Sequence, residues 1–298
     1  MLNYQIDVKV FITSNCNPFW GKLQDAAGPG AWKTLGNIGL EEVRMKVYEI
    51  YFSPTGGTKR VADILAKNLS DEVVPVNLTE SKQPEQPLQL RQEDLAVIAV
   101  PSYGGRVPGT AVERLANIEG KGSRAVLVCV YGNRAYEDTL VELEDTAAQG
   151  GFQVIGAVAA IAEHSIARQF ATGRPDDQDR QQLAQFAKQI QEKIAGGDLA
   201  KPSLPGNRPY KKSGGAGMTP KPTKDCVQCG ICAKECPVQA IDPSDPKKVD
   251  GNLCISCMRC IAVCPHQARK INGVMLSAVS LALKKVCSDR KTCELFLS

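Results

Sequence analysis

Eight cysteines crowd into the stretch from Cys226 to Cys264, in two runs of one pattern. Cys-Val-Gln-Cys-Gly-Ile-Cys-Ala-Lys-Glu-Cys-Pro begins at Cys226, and Cys-Ile-Ser-Cys-Met-Arg-Cys-Ile-Ala-Val-Cys-Pro begins 28 residues later at Cys254. Both fit C-x2-C-x2-C-x3-C-P, the spacing of a chain that holds two [4Fe–4S] clusters. Three thiolates on one tight loop cap three irons of a cube, and the fourth iron takes its ligand from the other run. That rule assigns Cys226, Cys229, Cys232 and Cys264 to one cluster, and Cys254, Cys257, Cys260 and Cys236 to the second. Pro237 and Pro265 lack an N–H and turn the chain away after the last ligand. Val227, Ile231, Ile255, Ile261 and Val263 can wall the sulfides. Zinc is the alternative, but it favours four ligands in paired C-x2-C units, and two complete four-cysteine runs ending in proline fit it poorly.

A second constellation is Tyr51-Phe52-Ser53-Pro54-Thr55-Gly56-Gly57-Thr58, between a strand pattern and a helix pattern. Helix-start N–H groups favour an anion. Gly56 and Gly57 let backbone approach closely, and Ser53, Thr55 and Thr58 can donate hydroxyl hydrogen bonds. The site suits a phosphate; an ordinary capped turn is the plainer reading. Neither G-x4-G-K-[ST] nor G-x-G-x-x-G occurs here.

These sites need elements to position them. Lys46–Phe52, Leu95–Val100, Ala125–Tyr131 and Phe152–Ala160 read as strands, with Asp71–Asn77 a weaker one. Val61, Ile64, Leu65 and Leu69 share a helical face, as do Leu140, Leu143 and Ala147, and then Leu183, Phe186, Ile190 and Ile194. Alternation of strands and helices predicts an α/β fold, a doubly wound parallel sheet covered on both faces. Residues 199–222 are rich in proline and glycine and read as a linker or wrapping arm. The expected layout is an α/β domain over 45–198, a small α+β cysteine domain over 223–271, and a helical, docked tail over 272–298.

Residues 1–44 stand apart. Met45-Lys46-Val47 opens directly into the first strand, and Glu41-Glu42-Val43 can be encoded by a ribosome-binding sequence just upstream. The expectation is a non-native leader from a misassigned start, or a disordered extension. The intact mass of the natively expressed protein tests it.

Composition removes several classes. The formal charge is only +4, from 36 basic and 32 acidic residues, too little to argue for nucleic acid. Each oxidised cluster with its thiolates adds roughly −2, which brings the cysteine block close to neutral. Aromatics are 5%, so a base-stacking platform is not indicated. Two histidines leave little material for a His-centred triad. The longest apolar runs, Phe152–Ala162 and Val274–Leu283, are short of the roughly 20 residues of a membrane helix. With no signal pattern, the expected location is cytoplasmic. The other cysteines, Cys16, Cys129, Cys287 and Cys293, need no ligand role.

The cysteine window resembles the bacterial 2[4Fe–4S] ferredoxins. Tyr51–Thr58, with Ala62 and Leu65, resembles the FMN-phosphate loop of flavodoxins, with one departure: Glu49 stands where that pattern wants an aliphatic residue. A flavodoxin-like sheet of order 2-1-3-4-5 implies FMN at the switch point between strands 1 and 3. The loops after strands 3 and 4 then meet the flavin. They carry Ser102, Tyr103, Gly104, Gly105 and Arg106, and Gly132, Asn133, Arg134 and Tyr136. For Tyr103 and Tyr136 surface packing is the alternative; for Arg106 and Arg134 it is a solvated loop charge. Ala162–Ser165 and Gly173–Asp177 could cover the flavin or dock the cysteine block. His164 could gate a proton, or make a loop hydrogen bond.

From Met45 onward, SPTGGTKR, PSYGGRVP, YGNRAYEDTL, HS…GRPDD and the double cysteine repeat resemble the EFR1-family ferrodoxins, flavodoxin–ferredoxin fusions. The resemblance implies an electron-transfer protein holding two [4Fe–4S] clusters and FMN, coupling one- and two-electron steps, oxygen-sensitive and at home in an anaerobic setting. Redox proteins, a ferredoxin or an oxidoreductase, are the expected partners, without nucleic acid or membrane insertion. Alternatives are an FMN-dependent reductase of a quinone or nitro compound, and a redox or oxygen sensor.

Overall fold

Apolar runs bounded by turns become the strands, and the amphipathic segments between them become the helices. A computed structural model describes residues 45–214 and 217–298; the expected leader, with Cys16, lies outside the described residues. In chain order the elements are β1 (Val47–Tyr51), α1 (Gly57–Leu69), β2 (Val73–Asn77), β3 (Leu88–Gln89), β4 (Leu95–Pro101), α2 (Gly109–Leu115), β5 (Ile118–Glu119), β6 (Arg124–Tyr131), α3 (Thr139–Gln149), β7 (Gln153–Ile161) and α4 (Asp177–Ala195). There follow β8 (Lys221–Pro222), α5 (Ile231–Lys234), α6 (Arg259–Ala262), β9 (Arg269–Lys270), α7 (Gly273–Cys287) and β10 (Glu294–Phe296).

The main sheet runs β2-β1-β4-β6-β7, all parallel. Setting aside the two-residue β3 and β5, this is the order 2-1-3-4-5 of a flavodoxin-like sheet. β4, β6 and β7 are almost wholly buried, as strands covered on both faces must be. α1 packs with α4, and α2 with α3. β1 forms despite Glu49, which is buried within it.

Three segments bear on the sequence reading. The tail adds a strand: β10 pairs antiparallel with β7, extending the sheet by one. The segment read as a linker or wrapping arm is pinned along much of its length. Leu204 packs on the main core. Arg208 forks onto Asp145 and reaches Glu144, while the Asn207 and Lys211 N–H groups donate to Asp138 at the start of α3. Finally, β8 pairs with β9, so the cysteine block begins at Lys221 rather than 223.

The 28-residue repeat is also a backbone repeat. Gln228, Gly230 and Gln239 have φ of 57°, 77° and 51°, and Ser256, Met258 and Gln267 have 54°, 64° and 49°. These left-handed residues curl each C-x2-C-x2-C run into a loop, and α5 and α6 follow at matching positions.

Candidate functional site

Each cysteine set surrounds its own small cavity. One is lined by Cys226, Cys229, Cys232 and Cys264, the other by Cys236, Cys254, Cys257 and Cys260. The fourth cysteine of each run thus sits with the other run's first three. Backbone N–H groups support both fourth ligands: Ala240 donates to Cys236 Sγ and Ala268 to Cys264 Sγ, each at 3.3 Å. Two sets of four thiols, each with its fourth member taken from the other run, match the ligand exchange of a two-cluster chain rather than paired C-x2-C zinc units. Burial pushes the free thiols of Cys257 and Cys260 up to about 12, so their thiolate forms would need a bound cation such as cluster iron. The residues therefore fit two cubane clusters.

A larger cavity of about 530 Å³ opens at the carboxyl ends of β1, β4, β6 and β7. Its walls include Thr55, Gly57 and Thr58; Ser102, Tyr103 and Gly104; Tyr131, Gly132 and Arg134; and His164. α1 begins at this cavity, capped by Gly56 in the left-handed region (φ 85°). Of its first-turn N–H groups, that of Lys59 is held by Ser53 Oγ at 2.9 Å, and the cavity is bordered by Gly57 and Thr58.

His164 is fixed against the opposite wall. Its Nδ1 accepts from the N–H groups of Ile166 and Ala167 at 3.2 and 3.1 Å, so a neutral ring carries its proton on Nε2. Burial, helped by the Arg134 charge, holds its pKa below the ordinary imidazole value. A Cβ at Gly132 would lie 2.6 Å from His164 Cδ2, so only glycine admits this ring. Tyr103 is raised well above an ordinary phenol by burial and by the neighbouring Cys257.

The cavity is completed from outside the α/β half, by Ser213, Gly214 and Met218, by Cys254, Ile255 and Ser256, and by Val279 and Leu283 of α7. Cys254 belongs to the second cysteine set, whose cluster is termed proximal below; the set containing Cys226 is distal. Two arginines join the halves at the proximal set. Arg259 Nη1 donates to the Pro54 carbonyl at 3.1 Å, while its Nε donates to the Glu235 carbonyl and its Nη2 pairs with the Glu235 carboxylate. Arg114 bonds the carbonyls of Leu78 and of Pro237, the residue after Cys236.

Not every candidate residue reaches the large cavity. Thr55, Gly57, Thr58, Ser102, Tyr103, Gly104, Gly132 and Arg134 line it; Ser53, Gly56, Gly105, Arg106, Asn133 and Tyr136 do not. Arg106 is committed to Glu142 and stacks over Tyr210. Asn133 Nδ2 donates to the carbonyls of Cys287 and Asp289, and the Tyr136 hydroxyl to Glu294. Gly105 lies against Glu137. The Gly173–Asp177 segment builds the start of α4 instead: Asp176 and Asp179 form its capping box, and Arg174 pairs with buried Asp179. Sequence reasoning missed Met218, Val279 and Leu283, which lie far along the chain; the apolar face of α7 was the only signal for Val279 and Leu283, and Met218 had none.

Residues 225–269 match the family described as 4Fe–4S dicluster domain. Ferredoxin-2 of Chlorobaculum tepidum is 40% identical over 55 residues, 16% of this chain and 89% of that protein. Ferredoxin-3 of the same organism is 40% identical over 57 residues, 17% of this chain and 92% of that protein. Among solved structures, a Streptococcus pneumoniae TIGR4 flavodoxin aligns at 20% identity over 49% of this chain and 98% of that one, with TM-score 0.34. An oxidised flavodoxin 1 from Bacillus cereus aligns at 16% identity over 49% and 97%, with TM-score 0.32. The flavodoxin-like assignment rests on the strand order rather than on these scores. An electron-transfer architecture follows from the cysteine block, and the chain belongs to the bacterial dicluster ferredoxin family through residues 225–269, joined here to a flavodoxin-like half in an EFR1-type arrangement.

Proposed function

We propose that this chain binds FMN in the large cavity and relays electrons between that flavin and the two clusters, coupling one- and two-electron steps. One observation carries the reading: Thr55–Thr58, at the start of α1, and the proximal loop Cys254–Ser256 contribute to the same cavity. When bound, FMN supplies exchange of one or two electrons, where a cluster passes one at a time. Thr55 and Thr58, with the N–H groups at the start of α1, hold the phosphate. Tyr103, Gly104 and Tyr131 flank the ring. His164 holds a proton at Nε2, facing a cavity from which Val279, Leu283 and Met218 exclude water. Arg259 and Arg114 keep the proximal cysteines against the phosphate loop.

Redox-protein partners fit the distal end. Cys229 is exposed there, and Val227 beside it is 60% exposed. The cysteine loop and α7 wall one side of the cavity, which favours protein contact at the distal cluster and small molecules at the flavin. The apolar wall of Met218, Ile255, Val279 and Leu283 favours, as a second reading, reduction of a small apolar acceptor.

The test is anaerobic purification, FMN and iron analysis, and an absorption spectrum recorded during addition of NADH, then NADPH, then a reduced ferredoxin. One FMN per chain, with flavin and clusters bleached by reduced ferredoxin alone, is the expected result. Bleaching by a pyridine nucleotide would make the chain a reductase. A preparation with clusters that binds no FMN would overturn the relay.

A further inference from the structure

Arg269 is 2% exposed, yet no carboxylate among the described residues pairs with it. Its Nη atoms donate to the carbonyls of Pro220 and Pro246, and its Nε–H has no acceptor. A buried charge left this way is costly unless an anion lies beside it. Arg269 lines the distal cysteine cavity and not the proximal one; its charge also reaches Cys260 of the proximal set, so it acts on both sets but is in the wall of the distal one only. A cluster with four thiolates, at roughly −2, is the missing counter-charge.

The internal repeat sharpens this. The residue 28 positions before Arg269 is Ile241, which is 3% exposed and lines the proximal cavity. The two clusters thus meet a buried guanidinium and a buried aliphatic side chain at equivalent places. Arg259 does not restore the balance, because Glu235 neutralises it. Net charge, hydrogen bonds to sulfur and solvent exposure set cluster potentials. One-electron reduction takes the cluster–thiolate unit from roughly −2 to −3, and an adjacent fixed cation stabilises the product. Exposure of Cys229 acts in the same direction.

We propose that Arg269 is a tuning residue that makes the distal cluster the higher-potential member of the pair, so that a single stored electron rests at the exposed end, away from the large cavity. This deepens the electron-transfer reading, rests on the two clusters, and requires no flavin.

The experiment is a potentiometric titration of the full, anaerobically purified chain, followed by EPR, with a soluble paramagnetic relaxation agent identifying the exposed cluster. The wild type is expected to show two midpoints, the exposed cluster's being higher. Arg269→Met should lower that midpoint by at least a tenfold change in equilibrium constant, about 59 mV for one electron, and move the other less. Arg269→Lys, which keeps the charge, should hold the wild-type order. Ile241→Arg should raise the buried cluster's midpoint instead. The proposal fails if Arg269→Met moves neither midpoint, moves both equally, or moves the same one as Ile241→Arg. If Arg269→Met does not retain its iron, Arg269→Gln against Arg269→Lys decides. Assembly or a raised midpoint with Lys alone supports the counter-charge, and equal behaviour of the two overturns it. Wild-type protein with iron for fewer than two clusters would instead refute the two-cluster reading itself.

Discussion

Between Val47 and Ile190 the chain buries Val, Ile, Leu and Ala throughout a sheet and its helices. Between Lys221 and Lys270 the buried cluster is Cys232, Ala233, Cys236, Ala240 and Ile241, with Val238, Val249, Cys254 and Cys260 against it. The first region holds together by removing apolar area from water, at roughly 25 cal/mol per Å². The second has two very short helices and a two-residue ladder, too little for a stable core at its size. Its interior is the clusters. Metal binding there is folding free energy, whereas the α/β half forms its cavity from its own apolar core.

Iron removal breaks the comparison most sharply. Anaerobic chelation is expected to abolish protection of the cysteine block from hydrogen exchange and proteolysis, while β1, β4, β6 and β7 stay protected. Equal loss of protection in both regions would show that the α/β half depends on the clusters. Leu127→Ala probes the other side. Leu127 is fully buried in the middle of β6, and its truncation should cost about 2–5 kcal/mol in thermal or denaturant unfolding. The cluster absorbance should persist until that transition; its loss well below it would mean the block melts first on its own.

Glu49 is a buried charge within the apolar region. Its carboxyl is buried, Oε1 has no partner, and burial, with Asp63 adding repulsion, raises its pKa from 4.5 to about 7. The unfolded chain releases this proton near 4.5 and the folded one near 7, so the folded state binds more protons between them. Stability from this group is therefore full below about pH 4.5 and lost as pH rises through 7, by about 3 kcal/mol at most. Glu49→Gln should flatten that fall in denaturant titrations from about pH 5 to 8. An unchanged slope would place the dependence elsewhere.

Legibility followed the same division. The cysteine spacing grouped the eight cysteines as the two small cavities group them, because thiolate geometry around a cube is local to each run and leaves one fixed swap between runs. The parallel sheet was legible because strands buried on both faces are apolar throughout. What escaped was non-local. The three residues Glu294–Phe296 carry no strand signal of their own; the free edge of β7 makes them a strand. Arg106 and Asn133 sit in the right loops, but partners far along the chain, Glu142 and the tail at Cys287 and Asp289, turn them from the cavity. Gly132 and His164 are remote in sequence, and only the fold shows that one exists to admit the other. Arg269 looked like any basic residue until its pseudo-equivalent proved to be a buried isoleucine.

The joint between the regions gives the smallest expected effect. Arg259 lies between Cys257 and Cys260, yet it bonds Pro54 in the loop before α1 and Glu235 beside Cys236. It therefore ties the proximal loop to the fourth ligand's turn and to the α/β half at once. If the regions are joined there, Arg259→Ala should raise hydrogen exchange across Ser53–Thr58 about tenfold, near 1.4 kcal/mol, without loss of iron. The clusters keep the cysteine block folded, so the change stays at the seam. Loss of the proximal cluster in this variant would mean that Arg259 holds the ligands rather than the joint. No change in exchange would leave Arg114, through the Pro237 carbonyl, as the contact that keeps the proximal cysteines at the cavity.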